Sequence, residues 1–241
     1  MSDALLNAIK AGDVDRLAGL LAAGADPNAI VISRYYTLEE RLTALFFAVR
    51  ELQPPSNEEP GRSIDLVVLL IRYGADVNRW DEGHRFTPIS AAAQNNHIDA
   101  ARILLAAGAD PNVRDEEGYS PLRICAENGF VEIARLLLHC GAGKTIHEPG
   151  GGGQGANALG FAVRELHVDM VRLLLAYGAD PYVNDMDDEP TPIDMLKYVS
   201  KWDEPDAQER FEEICRLLGA DPSTVPIERP TASGSGDHGS S

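Results

Sequence analysis

The chain has 241 residues, 38 of them acidic and 21 basic, for a formal net charge of −17 at pH 7, with 44% hydrophobic and 6% aromatic residues. That length can bury the core of one or two domains or of one repeat array, and the composition is that of a soluble globular chain. Neutralising phosphates requires Lys and Arg, so the acidic balance argues against nucleic acid or an anionic membrane as ligand and makes a basic partner the natural complement.

At the N-terminus Asp3 arrives at once, and Leu5, Leu6 and Ile9 are helically spaced, which predicts an amphipathic helix and no secretion signal. A second helix leads to Gly24-Ala-Asp26-Pro-Asn28, followed by a longer turn around Ala29 to Arg41 that carries Tyr35 and Tyr36. A helix opening at Thr43-Ala-Leu-Phe46 ends at Arg50-Glu51, and the Pro-rich segment Leu52 to Arg62 is expected to be extended. The apolar run Leu66 to Ile71 is far shorter than the ~20 residues of a membrane span. It leads to Gly74-Ala-Asp76-Val-Asn78 and a turn with Trp80, His84 and Phe86.

Thr87-Pro88 opens the next short helix, which ends at Gln94-Asn95, and the amphipathic run Ile98 to Leu105 leads to Gly108-Ala-Asp110-Pro-Asn112. The following tip holds Arg114, Glu116, Glu117 and Tyr119. Ser120-Pro121 starts a helix ending at Glu127-Asn128, and Val131 to Leu138 runs into Gly141-Ala142. Lys144 to Asn157, with Gly150 to Gly153, is expected to be a flexible loop. Asn157-Ala-Leu-Gly160 begins a helix ending at Arg164-Glu165, and Val168 to Leu175 leads to Gly178-Ala-Asp180-Pro-Tyr182. A tip with Tyr182, Met186, Asp187, Asp188 and Glu189 precedes Thr191-Pro192, and the last mark is Gly219-Ala-Asp221-Pro222. Beyond Pro222 the segment lacks apolar periodicity and is expected to be a disordered tail, residues 223–241.

The six marked glycines are spaced 50, 34, 33, 37 and 41 residues apart, a 33-residue period with insertions. At Thr87-Pro88, Ser120-Pro121 and Thr191-Pro192 a hydroxyl can cap the first helix and Pro suits its first turn, and the marked Gly can end the second helix in the left-handed conformation. With Thr87-Pro88-Ile89 opening one unit and Gly108-Ala-Asp110-Pro-Asn112 closing it, the pattern resembles the ankyrin repeat over roughly residues 3 to 222. The resemblance implies an all-α solenoid of about six helix-turn-helix repeats with short hairpin turns, at roughly 3–28, 42–78, 87–112, 120–142, 157–182 and 191–221, within a domain spanning 1–222. Leu136, Leu137 and Leu173 are expected to lie in its core. It also implies protein binding on the concave face and the turn tips.

In register, Arg50-Glu51, Gln94-Asn95, Glu127-Asn128 and Arg164-Glu165 form a row at the ends of the first helices. The tips add Tyr35, Tyr36, Trp80, His84, Phe86, Arg114, Glu117, Tyr119, Tyr182, Asp187 and Asp188 as partner-binding candidates, because aromatics amid charge resemble interface anchors. Residues 180–221 carry 13 acidic and 4 basic residues, fitting either a solvated capping repeat or a landing site for a basic protein.

Other motifs do not assemble. Gly141-Ala-Gly143-Lys144-Thr145 has Leu138 where a phosphate-binding loop needs its first Gly, and Gly150, Gly152 and Gly155 follow no strand. Cys125, Cys140 and Cys215 form no CxxC pair and suit a reducing, cytosolic compartment, with His139-Cys140 assigned to helix packing or capping. His97 occupies a position where the family commonly has a structural His. No catalytic constellation, cofactor or metal site emerges. The expected function is a non-catalytic module, monomeric alone, that binds a folded basic protein as an inhibitor or immunity-type protein. A scaffold or assembly subunit is the alternative, and an enzyme with its site in the 144–157 loop is a remote one.

Overall fold

Caps and turn residues place the helix boundaries in the computed structural model, which describes residues 2–35, 38–52, 63–82, 86–148, 156–183 and 190–226. The first repeat pairs α1 (Ser2–Lys10) with α2 (Val14–Ala22). A hairpin of β1 (Ile30–Tyr35) and β2 (Leu38–Thr43) precedes α3 (Ala44–Arg50) and α4 (Asp65–Arg72). Then come α5 (Pro88–Gln94) with α6 (Ile98–Ala106), α7 (Pro121–Asn128) with α8 (Val131–His139), and α9 (Ala158–Arg164) with α10 (Val168–Ala176). The last repeat pairs a 3-10 helix, Pro192–Tyr198, with α11 (Ala207–Leu218).

The first helices stack in the order α1, α3, α5, α7, α9 and the Pro192–Tyr198 helix, and the second helices form a row behind them. Side chains cap the first helices. Thr43 accepts from the Phe46 amide at 3.1 Å, Thr87 from Ser90 at 3.4 Å, Ser120 from Arg123 at 3.2 Å and Asn157 from Gly160 at 3.0 Å. Each satisfies an amide that has no partner within its helix. Ala91, Ala92 and Ala93 make α5 buried along most of its length, so backbones can approach closely there.

The Asp and Asn of each punctuation mark do separate jobs. Asp76 and Asp110 accept from the amides of Asn78 and Asn112, both at 2.9 Å, closing the local turn. The Asn then reaches into the next repeat: Asn78 Nδ2 donates to the Gly108 carbonyl at 3.0 Å, and its Oδ1 accepts from the Asp110 amide at 2.8 Å. Asn28 bridges to Gly74 and Asp76 in the same way, and Asn112 donates to Gly141 at 3.1 Å. Between the fourth and fifth repeats His147 takes over, its Nε2 accepting from the Asp180 amide at 3.0 Å.

Several expectations are corrected. The segment Ala29 to Arg41 is no irregular turn: β1 and β2 pair antiparallel from Ile30 opposite Thr43 to Tyr35 opposite Leu38. Its β-branched and aromatic residues favour a strand, with Val31 and Ser33 buried and Ile32 exposed between them. The last first-helix is 3-10, held by a capping box between Thr191 and Asp194. Leu137 and Leu173 are core residues, but Leu136 is only partly buried against the core. Cys140 caps α8 at its C-terminus and is exposed. Past Pro222, Val225 still packs on the core, beyond the expected domain edge. Residues 53–62, Gly150 to Gly153 and 227–241 lie outside the described residues.

Candidate protein-interaction face

The hairpin tips of the third and fourth repeats are closed alike at their bases. Asp81 donates its amide to the Phe86 carbonyl at 3.0 Å and accepts from the Phe86 amide through Oδ1 at 2.6 Å. Asp115 repeats this with Tyr119: its amide donates to the Tyr119 carbonyl at 3.2 Å, and its Oδ1 accepts from Glu117 and Tyr119 amides at 2.9 and 2.7 Å. An aromatic residue is thereby fixed at the base of each tip. Gly118, at φ +80°, supplies the left-handed residue the second tip requires.

Between these tips and the helices behind them lies a groove of about 300 Å³. Phe86 and the end of α5, at Gln94, form one wall. The opposite wall is Asp115, Glu117 and Tyr119 from the tip, with Ile124, Glu127 and Asn128 from α7. Six of the residues singled out in the sequence, Phe86, Gln94, Glu117, Tyr119, Glu127 and Asn128, therefore meet at one place. Sequence reasoning missed Asp115, whose structural role in the tip hid its place in the wall. The signal was available in the repetition of Asp81 and Asp115 before an aromatic residue.

Electrostatics separates this groove from its flanks. Arg50 pairs with Glu40 at 2.7 Å and lies 3.6 Å from Glu51, while Arg164 pairs with Glu165 at 2.8 Å, so both ends of the row balance their own charge. Among the described residues, Asp115, Glu117 and Glu127 form no ion pair, and the described lining of the groove includes no Lys or Arg. Burial pushes the Asp115 carboxyl above the ordinary value, reinforced by Glu117 and opposed by the two backbone amides and by Arg123.

Behind Tyr119 the guanidinium of Arg123 is buried between two rings, 3.5 Å from the Tyr119 centroid and 4.3 Å from that of Phe161. Its Nε and Nη1 have no hydrogen-bond partner, so the stacked rings take the place of acceptors. Arg164 lies over Phe161 from α9 at 4.5 Å, continuing the stack.

The other candidates are dispersed. Trp80 is 37% and Tyr182 63% exposed, outside the groove. Arg114 pairs with Glu148 of the next tip, and Asn95 donates to the Arg50 carbonyl at 3.4 Å, tying adjacent repeats together. Tyr35 ends β1. Tyr36, His84, Met186, Asp187, Asp188 and Glu189 fall outside the described residues. In the acidic last repeat, Glu204 and Asp206 pair with Arg210, Glu213 pairs with Arg172 and Arg216, and Asp194 with Lys197. Ala142–Thr145 forms one 3-10 turn rather than a phosphate-binding loop.

A stacked helical array presenting a concave row of side chains and hairpin tips defines a solenoid repeat protein. The chain belongs to the ankyrin-repeat family: the family profile of three ankyrin repeats matches residues 5–115, 59–148 and 115–185. It is similar to ankyrin repeat and SOCS box protein 6 of Mus musculus, 35% identical over 119 residues, covering 49% of this chain and 25% of that protein. A putative ankyrin repeat-containing protein of Treponema pallidum is 37% identical over 122 residues, or 50% of this chain and 28% of that one. Protein phosphatase 1 regulatory subunit 27 of Homo sapiens is 36% identical over 56 residues, or 23% of this chain and 36% of the relative. The chain thus matches only about a quarter to a third of the length of these relatives. Ankyrin repeats are generally protein–protein interaction modules. Among the described residues no helix is long and apolar enough to cross a membrane.

Proposed function

We propose that this protein is a non-catalytic interaction module whose concave face binds a folded basic protein. The observation that carries this reading is the groove between the third and fourth repeats, where three carboxylates that have no ion-pair partner among the described residues sit beside aromatic side chains. A preformed surface loses little conformational freedom on docking, and complementary charge speeds encounter. Two relatives point the same way in kind, since one is named as a regulatory subunit and another for its ankyrin repeats. The narrower role is that of an inhibitor or immunity-type protein that covers a basic cleft of its partner.

The test compares the wild-type chain with a Glu117→Lys, Glu127→Lys variant as bait in the source cytosol at low salt and at ~0.5 M salt, where exposed charges are largely screened. A basic protein held by the wild type at low salt and lost by the variant supports the reading, and its own activity with and without the bait then decides inhibition. Partners retained equally by both baits at both salts would move the function to a scaffold that does not use this groove.

A further inference from the structure

The groove has a more specific chemistry than general acidity. Its carboxylates come from two elements of one wall, Asp115 and Glu117 on the tip and Glu127 on α7, so one ligand group with several donors can be shared between the tip and the helix. Asn128 spends its NH₂ on the Ile124 carbonyl at 2.9 Å, leaving its side-chain oxygen as a further acceptor at the rim. Tyr119 lines the groove, and Arg123 lies 3.5 Å from its ring centroid. Cations over aromatic rings in this chain are mostly guanidinium groups: Arg123 on Tyr119 and Phe161, Arg164 on Phe161, and Arg50 5.4 Å from Phe47, a ring that Lys10 also approaches at 5.9 Å.

We propose that the groove seats one arginine side chain of the partner, its guanidinium against Tyr119 and its donors shared among Asp115, Glu117 and Glu127. This deepens the preceding reading and takes from it that the ligand is a protein segment. Arginine fits better than lysine because a flat fork with five donors can stack on a ring and bridge separated carboxylates. An ammonium is a compact point charge that cannot stack flat on a ring and offers three donors rather than a fixed fork of five. A volume of about 300 Å³ suits one long side chain rather than a helix, so the segment presenting it runs across the rim.

The probes are the neutral-capped tripeptides acetyl-Gly-Arg-Gly-amide and acetyl-Gly-Lys-Gly-amide, titrated into the isotope-labelled full chain at low salt and followed by amide chemical shifts. The expected result is saturable movement of amides 115–119, 127 and 128 with the arginine peptide, and about fivefold weaker binding or none with lysine. Glu117→Gln with Glu127→Gln should weaken the arginine peptide by about fivefold or more. Tyr119→Phe should retain it and Tyr119→Leu lose it, with the exposed Glu117→Gln substitution deciding if the Leu variant does not fold. Equal binding of both peptides, or unsaturable shifts spread over the carboxylates of residues 203–213, would overturn the seat. If the Lys-substituted bait loses its basic partner while the peptide never saturates, the arginine seat falls and the basic-partner reading stands. A saturating peptide with no partner dependent on this face is the reverse outcome.

Discussion

At the residue scale, the joints between repeats depend on single side chains that use both ends of an amide. Asn78 donates to one residue of the next repeat and accepts from another, and Ala can do neither. Asn78→Ala is expected to cost about 1–3 kcal/mol, because it removes two inter-repeat hydrogen bonds and leaves partners unsatisfied. Urea unfolding monitored by circular dichroism measures this, and a shift under about 0.5 kcal/mol, half the usual worth of one bond, would mean water replaces the amide. The three thiols should also be distinguishable. Cys125 and Cys215 are buried, and burial raises both, Cys215 to about 11, whereas Cys140 is exposed. A thiolate-directed reagent at neutral pH should therefore modify one thiol in the native chain and all three in denaturant. Rapid native labelling of Cys125 would show that α7 opens locally.

At the element scale, the contact of α7 with the fifth repeat leaves no space to spare. Gly129 ends α7 with φ +71°, and a Cβ there would lie 2.9 Å from Cε1 and Nδ1 of His167. The same imidazole places Nε2 3.1 Å from the Glu127 carbonyl. Gly129→Ala combines an unfavourable backbone conformation with a clash, and should destabilise the chain by more than the ~1 kcal/mol of the conformational penalty alone. Thermal or urea unfolding checks it, and part of the loss should return in the Gly129→Ala, His167→Ala double variant if the clash contributes. Within α8, Leu137→Ala should cost ~2–5 kcal/mol and Leu136→Ala clearly less, because only the first side chain is fully buried. Helical spacing identified both as apolar, but the width of the buried stripe depends on how closely α6 and α10 approach α8. The sequence pattern does not encode that distance.

At the scale of the whole molecule, the stacked repeats half-bury two histidines, His97 and His167, in equivalent joints. Burial lowers the His97 and His167 values below the ordinary 6.5, partly opposed by their backbone hydrogen bonds to Leu52 and Glu127. The unfolded chain therefore binds more protons than the folded one as pH falls through about 6.5. Stability from these joints is present above that pH and is lost on acidification toward the lower folded-state values. Melting midpoints should fall between pH 7.5 and 5.5, and the fall should be smaller in the His97→Gln, His167→Gln variant. An equal slope in both proteins would assign the acid sensitivity to other groups.

The family was legible because six glycine-marked turns recur in register, and the caps at Thr87, Ser120 and Thr191 were legible because each acts over three residues of chain. Local rules suffice for such features. The hairpin at Ile30–Tyr35 and Leu38–Thr43 was hidden by an expectation of an all-helical repeat, although its β-branched residues pointed to strand. The groove was legible only as a register of candidate residues. Tertiary structure decided that Arg50 and Arg164 are balanced by neighbouring carboxylates while Asp115, Glu117 and Glu127 form no ion pair among the described residues. Charge pairing depends on distances between residues of different repeats. Periodicity determined by sequence fixes which face a residue occupies, and only the stacked structure fixes which charge stands opposite it.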